Sequence, residues 1–162
     1  MQPVNYLEGL NKYYQSQGFP PYKWSEFEDS PWSELKQPLD AAKLFLISSA
    51  GISMEGQERF DPWAVNDLSI RKIPVDASFD KLRIDDNYFD HRDAQKDMNC
   101  VFPVEPLKEL QGEGVFRELS ETAVTLGMGR LYKRTALREN TVPKIIDVLQ
   151  EQEADAALLV AA

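Results

Sequence analysis

The sequence is poor in the residues that most often carry disulfides and metals, with one cysteine, Cys100, and one histidine, His91. A single cysteine excludes an internal disulfide framework and is typical of cytoplasmic proteins. No apolar run approaches the roughly 18–20 residues that a membrane helix needs, and the first residues lack the basic-then-apolar pattern of a secretory signal. Composition therefore predicts a cytoplasmic protein.

Basic residues are also few, since 18 Lys and Arg oppose 27 Asp and Glu and the net charge is −9. This balance argues against a nucleic-acid backbone or an anionic membrane as the main partner. Hydrophobic residues make up 43% of the chain and charged residues 28%, which is ordinary for a globular protein. A chain of 162 residues is long enough to bury a sizeable core.

The first 42 residues form a distinct segment, with eight of the 17 aromatic residues and five of the ten prolines. Leu7, Leu10 and Tyr14 repeat at helical spacing, and Gly18 is placed as a helix stop. The double proline in "FPPYKW" forces an extended path. We predict an N-terminal helix and a wrapping arm over residues 1–42, whose rings pack rather than bind a ligand.

Residues 43–162 are predicted to form an α/β domain in which strands alternate with helices. Strands are expected at Lys43–Ser48, within "DLSIRKIP", within "TAVTLGMG" and in the last apolar run, 156–160. A short helix follows Pro103 with Leu107 and Leu110 on its apolar side, and a second helix carries the stripe Val142, Ile145, Ile146 and Leu149. The fold class is therefore α/β, with a mostly parallel, Rossmann-like sheet and flanking helices that is incomplete at its C-terminal end.

Three turns of small residues follow these strands. If the strands are parallel, their carboxyl ends meet at one edge of the sheet, where open α/β sheets place their chemistry. The turns 49–51 and 127–129 and the position after Ala162 should then converge. This expectation fails if those strands run in opposite directions.

The stretch "NYFDHRDAQKDMNCVFP" concentrates polar residues. Asp90, Asp93 and Asp97 at i, i+3 and i+7 predict three carboxylates on one helical face. A metal site would use these residues and His91, but adjacent Asp and His side chains diverge and no second histidine completes the site. Solvated or capping acids are favoured because Asp prefers turns and helix starts, so we predict no metal site.

Three further residues of this stretch leave alternatives open. His91 could act as a general base, since histidine titrates near neutral pH, but a surface ion pair is the favoured interpretation. Asn99 is expected to hydrogen-bond its own turn. Cys100 is expected to be a buried and inert thiol, although the helix that begins near Pro103 could stabilise a thiolate.

This stretch, together with "LLVAA", resembles the glycine/sarcosine/betaine/D-proline reductase selenoprotein B family. The matching positions of the family pattern are Asp90, Asp93, Asp97, Asn99, Phe102 and Pro103. The arm "NYLEGLNKYYQSQGFPPYKW" resembles that of environmental members, and "LFLISSAGI" resembles the first strand and glycine-rich turn. The chain departs from the pattern at Ala50, where a second glycine is usual, and at Gly127, where an aromatic residue is expected.

The resemblance implies a selenol- or thiol-dependent reductase that cleaves a C–N bond of a small amine or amino acid. In this family the last strand leads into a redox motif with selenocysteine or cysteine, so the redox residue is expected immediately after Ala162. A selenocysteine codon read as a stop would then have truncated the chain, with a frameshifted gene or a shortened fragment as the alternatives. The chain as written would bind no cofactor and be inactive alone.

Site residues and partners follow from the same resemblance. Ser49, Gly51, Met128 and Gly129 would line the pocket, whereas Asp90, Asp93, Asp97 and Asn99 would organise the surrounding loop. The expected partners are a reductase subunit that carries a pyruvoyl group, a thiol electron donor and a small-molecule substrate. The alternative is a non-catalytic α/β module that binds a small molecule or a protein partner.

Overall fold

The computed structural model describes residues 6–21, 26–127, 129 and 133–162, and divides the chain into two compact units, Met1–Glu34 and Leu35–Ala162. In the first unit, helix α1 spans Tyr6–Ser16, and Gly18 follows it with a φ of 85°. The helix and its glycine stop are therefore confirmed. The wrapping of the arm stays a prediction, and Trp24 of "FPPYKW" lies outside the described residues.

The second unit contains both strands and helices, and four of its strands precede its first α-helix. The strands are β1 (Lys43–Ser48), β2 (Ile52–Met54), β3 (Ile70–Pro74), β4 (Leu82–Ile84), β5 (Glu118–Leu119), β6 (Thr122–Leu126) and β7 (Ala156–Val160). The helices are α2 (Val104–Gly112), a single turn α3 (Arg134–Ala136) and α4 (Val142–Glu151), with a π-helical segment Leu137–Thr141 joining the last two. None of the helices in the described parts of the chain has the length and apolarity to cross a membrane.

Strand β1 lies at the centre of a five-stranded sheet. It pairs in parallel with β7 along one edge, from Leu44↔Ala156 to Ser48↔Val160. Strands β5 and β6 pair with its other edge, also in parallel. Strand β3 is antiparallel to β6, and β2 and β4 form a separate antiparallel pair. The predicted α/β class with a mostly parallel sheet is thus confirmed.

Helices cover both faces of this sheet, because successive side chains of a strand point to opposite faces. Leu46 of β1 lies in the buried cluster that contains Val104 and Leu107 of α2. Phe45 and Ile47, the neighbours of Leu46, lie in the cluster that contains Val148 of α4. Because both faces of β1 are buried, its sequence is a continuous run of apolar residues from Leu44 to Ile47.

The apolar stripe predicted for α4 is rotated in the structure. Val148 is buried and Ile145 and Leu149 pack against its cluster, whereas Val142 and Ile146 are exposed. Thr141, in the π-helical segment, is also buried, and its hydroxyl donates to the Leu68 carbonyl oxygen at 3.1 Å. That contact orients the start of α4 so that residues 141, 145, 148 and 149 face the core. The predicted apolar stripe was therefore wrong for Val142 and Ile146.

Candidate functional site at the carboxyl edge of the sheet

The turns that follow β1 and β6 meet the last residues after β7 at one edge of the sheet. The Ser49 N–H donates to the Val160 carbonyl oxygen at 3.0 Å, and the Gly51 N–H donates to the Leu126 carbonyl oxygen at 3.0 Å. The Ala162 N–H donates to Ser49 Oγ, also at 3.0 Å. The convergence predicted for the turns after β1 and β6 is confirmed despite the antiparallel β3, because β1, β6 and β7 are parallel; the part of the prediction that concerns the position after Ala162 stays a prediction.

Gly51 connects this edge to β4. Its φ is 63°, and a Cβ at this position would lie 3.3 Å from the Cβ of Asp86. The Asp85 N–H donates to the Gly51 carbonyl oxygen at 2.9 Å. Two carboxylates that sequence reasoning missed, Asp85 and Asp86, therefore lie directly beside the predicted turn.

Asp85 organises the polar contacts of this region. Its side chain is fully buried and lies 2.6 Å from Arg59 Nε and 3.8 Å from Arg83 Nε. It also accepts hydrogen bonds from the Ser53 hydroxyl at 2.5 Å and from the Phe60 N–H at 3.1 Å. A buried carboxylate persists only when it is paired and hydrogen-bonded in this way.

Residues 58–69 form a loop, here called the edge loop, that covers the turn after β6. A Cβ at Gly127 would lie 2.9 Å from Phe60 Cδ1, so the Phe60 ring fills the space that an aromatic residue at position 127 would need. A Cβ at Gly129 would lie 2.9 Å from both the Ala64 carbonyl oxygen and the Asp67 backbone nitrogen. Glycine is required at both positions because the loop approaches so closely.

Arg71 and Asp67 hold the edge loop in shape. The Arg71 guanidinium lies 4.3 Å from the centre of the Phe60 ring, and its Nε donates to the Glu58 carbonyl oxygen at 2.6 Å. Asp67 accepts from the Ser69 hydroxyl at 2.5 Å and from the Asp61 N–H at 3.2 Å. Burial acts to raise the pKa of Asp67, but the hydrogen bonds from Ser69 and Asp61 and the charge of Arg71 together lower it.

An open cavity of about 590 Å³ lies between the edge loop and the end of β4. We call it the acidic cavity, because four of its side chains are carboxylates and one is a guanidinium. Its lining residues are Glu58, Arg59, Phe60, Asp61, Pro62, Trp63, Ile84, Asp85, Asp86, Asn87 and His91. Of the candidate site residues predicted from the sequence, His91 lies in its wall.

His91 is half-buried, and its Nδ1 is buried without a hydrogen-bond partner. The imidazole packs edge-on against Phe89, with ring centres 5.6 Å apart. Its neighbours Asp90 and Arg92 pair with each other instead, so the favoured interpretation of His91 as a surface ion-pair member was wrong.

The predicted helical face of three aspartates does not form, since residues 90–97 are irregular and turn structure. Asp90 is exposed and forms an ion pair with Arg92, whose hydrogen bonds lower the pKa of Asp90. Asp93 is exposed and pairs with Lys96 at 2.8 Å. Short Asp side chains bond local backbone and neighbouring side chains, which competes with a helix. The favoured interpretation as solvated acids is confirmed.

Asp97 and Asn99 lead the chain into α2. Asp97 accepts a hydrogen bond from the Asn99 N–H at 3.0 Å, across the single 3₁₀ turn Met98–Cys100. The Asn99 amide donates to Glu105 at 2.7 Å, and its oxygen accepts from the Glu105 N–H at 3.2 Å. Asn99 therefore bonds its own turn as predicted and also satisfies an otherwise unpaired N–H at the start of α2.

Cys100 is a free, exposed thiol, so the prediction of a buried cysteine was wrong. Its neighbours Val101 and Phe102 take the buried positions instead. Within the described ranges, no three His, Cys, Asp or Glu side chains are close enough together to hold a metal ion. Met128 lies outside the described residues, and the pocket-lining role of Ser49, Gly51 and Gly129 stays a prediction.

The fold and this edge define an α/β domain of the type that places its chemistry beyond the carboxyl ends of parallel strands. Comparison with curated proteins gives a relative, D-proline reductase subunit gamma from Acetoanaerobium sticklandii, that is 32% identical over 130 residues. The similarity covers 80% of this chain and 52% of the relative, so the chain spans about half the length of the curated protein that it matches. No protein-family model matches the chain, and neither does any solved structure.

This similarity confirms the resemblance to the reductase family that was stated from the sequence. At the level of the family, the chain is related to a subunit of an oxidoreductase.

Proposed function

We propose that the chain is the amino-terminal part of a selenol- or thiol-dependent reductase subunit that cleaves a C–N bond in a small amine or amino acid. The observation that carries this proposal is the similarity to a D-proline reductase subunit over 80% of the chain. The single cysteine supports the cytoplasm as its compartment. The chain of 162 residues is proposed to be inactive alone, on the further proposal that the redox residue of the full-length subunit follows β7.

The proposed reaction consumes two electrons and two protons. The C–N bond breaks, a C–H bond and an N–H bond form, and a dithiol donor is oxidised to a disulfide, so atoms and electrons balance. A selenolate or thiolate supplies a polarizable nucleophile for this step. A pyruvoyl group on a partner subunit would hold the amino group of the substrate.

In this proposal the residues of the chain shape the surroundings of the redox centre. Ser49, Gly51 and Gly129 belong to turns at the edge toward which β7 runs. The backbone N–H groups of Ser49 and Gly51 are engaged by carbonyl oxygens of neighbouring strands, so their contribution is a rigid frame. The edge loop would limit the access of water to that frame.

A direct test uses D-proline, because cleavage of its ring C–N bond converts a secondary amine into a primary amine that fluorogenic reagents detect. The full-length subunit would be produced with its partner subunit, and with dithiothreitol as the electron donor. Primary amine should form with the complete complex. It should not form when the redox residue is replaced by serine, or with the shorter chain alone.

Reading the gene in frame past the codon for Ala162 gives an independent check. A selenocysteine or cysteine codon followed by a further cysteine codon would support the proposal. A frame without either would contradict it.

A non-catalytic binding module is the second candidate, and the acidic cavity is the observation that favours it. This candidate predicts ligand binding by the chain without any turnover in the full-length complex. It would replace the reductase proposal if the primary amine never forms while a ligand binds.

A further inference from the structure

The acidic cavity suggests a binding function that does not depend on the reductase chemistry. We propose that it binds a small organic cation, with the cationic nitrogen at Asp86 and the carbon skeleton against Trp63. Its volume of about 590 Å³ falls within the range of small-molecule sites, roughly 300–1,000 Å³. A ligand with several carbon atoms fits this space, whereas a bare metal ion would leave most of it empty.

The charge of the lining favours a cation. Glu58, Asp61, Asp85 and Asp86 contribute carboxylates, and Arg59 contributes the single lysine or arginine side chain of the lining. Arg59 and Asp85 pair with each other at 2.6 Å, which leaves Glu58, Asp61 and Asp86 as the excess negative charge of the lining. Excess negative charge in a concave surface concentrates cations and repels anions.

Asp86 has a carboxylate oxygen that accepts no hydrogen bond from the described residues. It is only 4% exposed, and its Oδ1 accepts from the Tyr88 N–H at 2.6 Å. None of the described residues donates a hydrogen bond to its second oxygen, Oδ2. This oxygen is therefore available to accept a hydrogen bond from an N–H group of a bound ammonium ion.

A buried polar atom without a hydrogen-bond partner lies in the same wall. His91 Nδ1 is buried and has no hydrogen-bond partner in the described structure. Tyr88 donates its hydroxyl to the Pro62 carbonyl oxygen at 2.8 Å, which ties the segment after Asp86 to the edge loop. Asp86 and His91 therefore both offer the cavity a polar atom that the described residues do not use.

The two aromatic side chains of the cavity differ in how much of the ring a ligand could contact. Phe60 is buried, and one face of its ring is covered by the Arg71 guanidinium. Trp63 is 71% exposed and is free to cover a ligand. Indole is the aromatic ring that attracts cations most strongly, so Trp63 and Asp86 together distinguish an organic cation from a neutral molecule of the same shape.

The test compares three ring compounds of similar size by titration calorimetry on the intact chain. Pyrrolidinium, the cation, should bind saturably. Tetrahydrofuran, the neutral isostere, and tetrahydrofuran-2-carboxylate, the anion, should each bind at least about tenfold more weakly. Equal binding of the cation and the neutral ring would overturn the proposal, as would the absence of saturable pyrrolidinium binding.

Two variants locate the site. Asp86→Asn keeps an oxygen for the Tyr88 N–H but removes the charge, and it should weaken pyrrolidinium binding about tenfold. Trp63→Ala alters an exposed ring, so the fold should be retained while affinity falls about threefold. Asp90→Asn, an exposed carboxylate outside the cavity, is the matched control and should bind as the unaltered chain does.

Unchanged affinity in both Asp86→Asn and Trp63→Ala would overturn the assignment of the cavity. Loss of affinity in Asp90→Asn as well would indicate a general charge effect and would also overturn it. The calorimetric signal requires no turnover, so pyrrolidinium binding can succeed where the reductase assay fails, and the two proposals fail separately.

Discussion

Gly51 carries two constraints at once, a left-handed backbone and a close neighbour. Its φ of 63° strains any L side chain, and an added Cβ would lie 3.3 Å from the Cβ of Asp86. We expect Gly51→Ala to lower the free energy of unfolding by about 2 kcal/mol, of which roughly half is backbone strain. Urea unfolding followed by circular dichroism measures this loss.

Gly114 provides the matched control for that substitution. Its φ is 76°, but nothing lies within 4 Å of an added Cβ. Gly114→Ala should therefore cost only the backbone strain, about 1 kcal/mol. Equal losses for the two variants would contradict the idea that contact with Asp86 restricts position 51.

Asp85 should be one of the most sensitive polar positions in the chain. Its fully buried carboxylate forms an ion pair with Arg59 and accepts hydrogen bonds from the Ser53 hydroxyl and the Phe60 N–H. Asp85→Ala leaves the buried Ser53 hydroxyl and Phe60 N–H without this acceptor, so we expect a loss of about 3 kcal/mol in the free energy of unfolding.

Asp93→Ala is the control, because Asp93 forms an exposed ion pair with Lys96. Exposed pairs contribute less than about 1 kcal/mol, so its effect should be small. Comparable losses in the two variants would show that Asp85 does not organise the cavity wall.

Sequence reasoning missed Asp85 and Asp86 for a physical reason. They follow β4, which has only three residues, Leu82–Ile84, and so short a strand shows no clear alternation of apolar and polar residues. The neighbouring aspartates 90, 93 and 97 drew attention because their spacing fits a helix, yet local hydrogen bonding decided their conformation. Burial of a carboxylate depends on tertiary partners such as Arg59, which lies 26 residues away in the sequence.

At the scale of elements, the edge loop should weaken in acid through Asp67. The pKa of Asp67 is lowered below its ordinary value of 3.8 in the folded protein. Its contribution to stability is therefore complete above pH 3.8 and is lost as the pH falls through the lower, folded value. Unfolding free energies measured at about pH 7 and about pH 3 should differ less in Asp67→Asn than in the unaltered chain.

The exposed Asp76 gives a control for this pH dependence. Asp76→Asn should leave the difference between the two pH values close to that of the unaltered chain. If Asp67→Asn shows the full acid-induced loss, the hydrogen bonds from Ser69 and Asp61 do not stabilise the charged form.

Elements with a strong apolar period were predictable, and those fixed by tertiary contacts were not. Strand β1 and helix α2 could be predicted from the positions of their apolar residues, because both elements pack into the core. The rotation of α4 depends on the bond between Thr141 and the Leu68 carbonyl oxygen, a contact between residues distant in sequence. The antiparallel direction of β3 likewise has no local signal, since strand composition does not specify orientation.

For the whole molecule, the exposed edge of β7 determines how copies of this chain should behave in solution. Within the described structure β7 pairs with β1 along one edge and has no strand on the other. Leu159 is 71% exposed on this strand. An apolar strand with an open edge is a predicted site of self-association.

Leu159→Lys should therefore suppress self-association, because a charge on an edge strand opposes pairing with another chain. The free energy of unfolding should change by less than about 0.5 kcal/mol, since the side chain is already exposed. Sedimentation velocity over a range of concentrations measures the first effect, and urea unfolding measures the second. Leu39→Lys is the control, because Leu39 is exposed but lies in the 3₁₀ turn before β1. If Leu39→Lys reduces association as much as Leu159→Lys, general surface charge is responsible; only a selective effect of Leu159→Lys assigns association to the β7 edge.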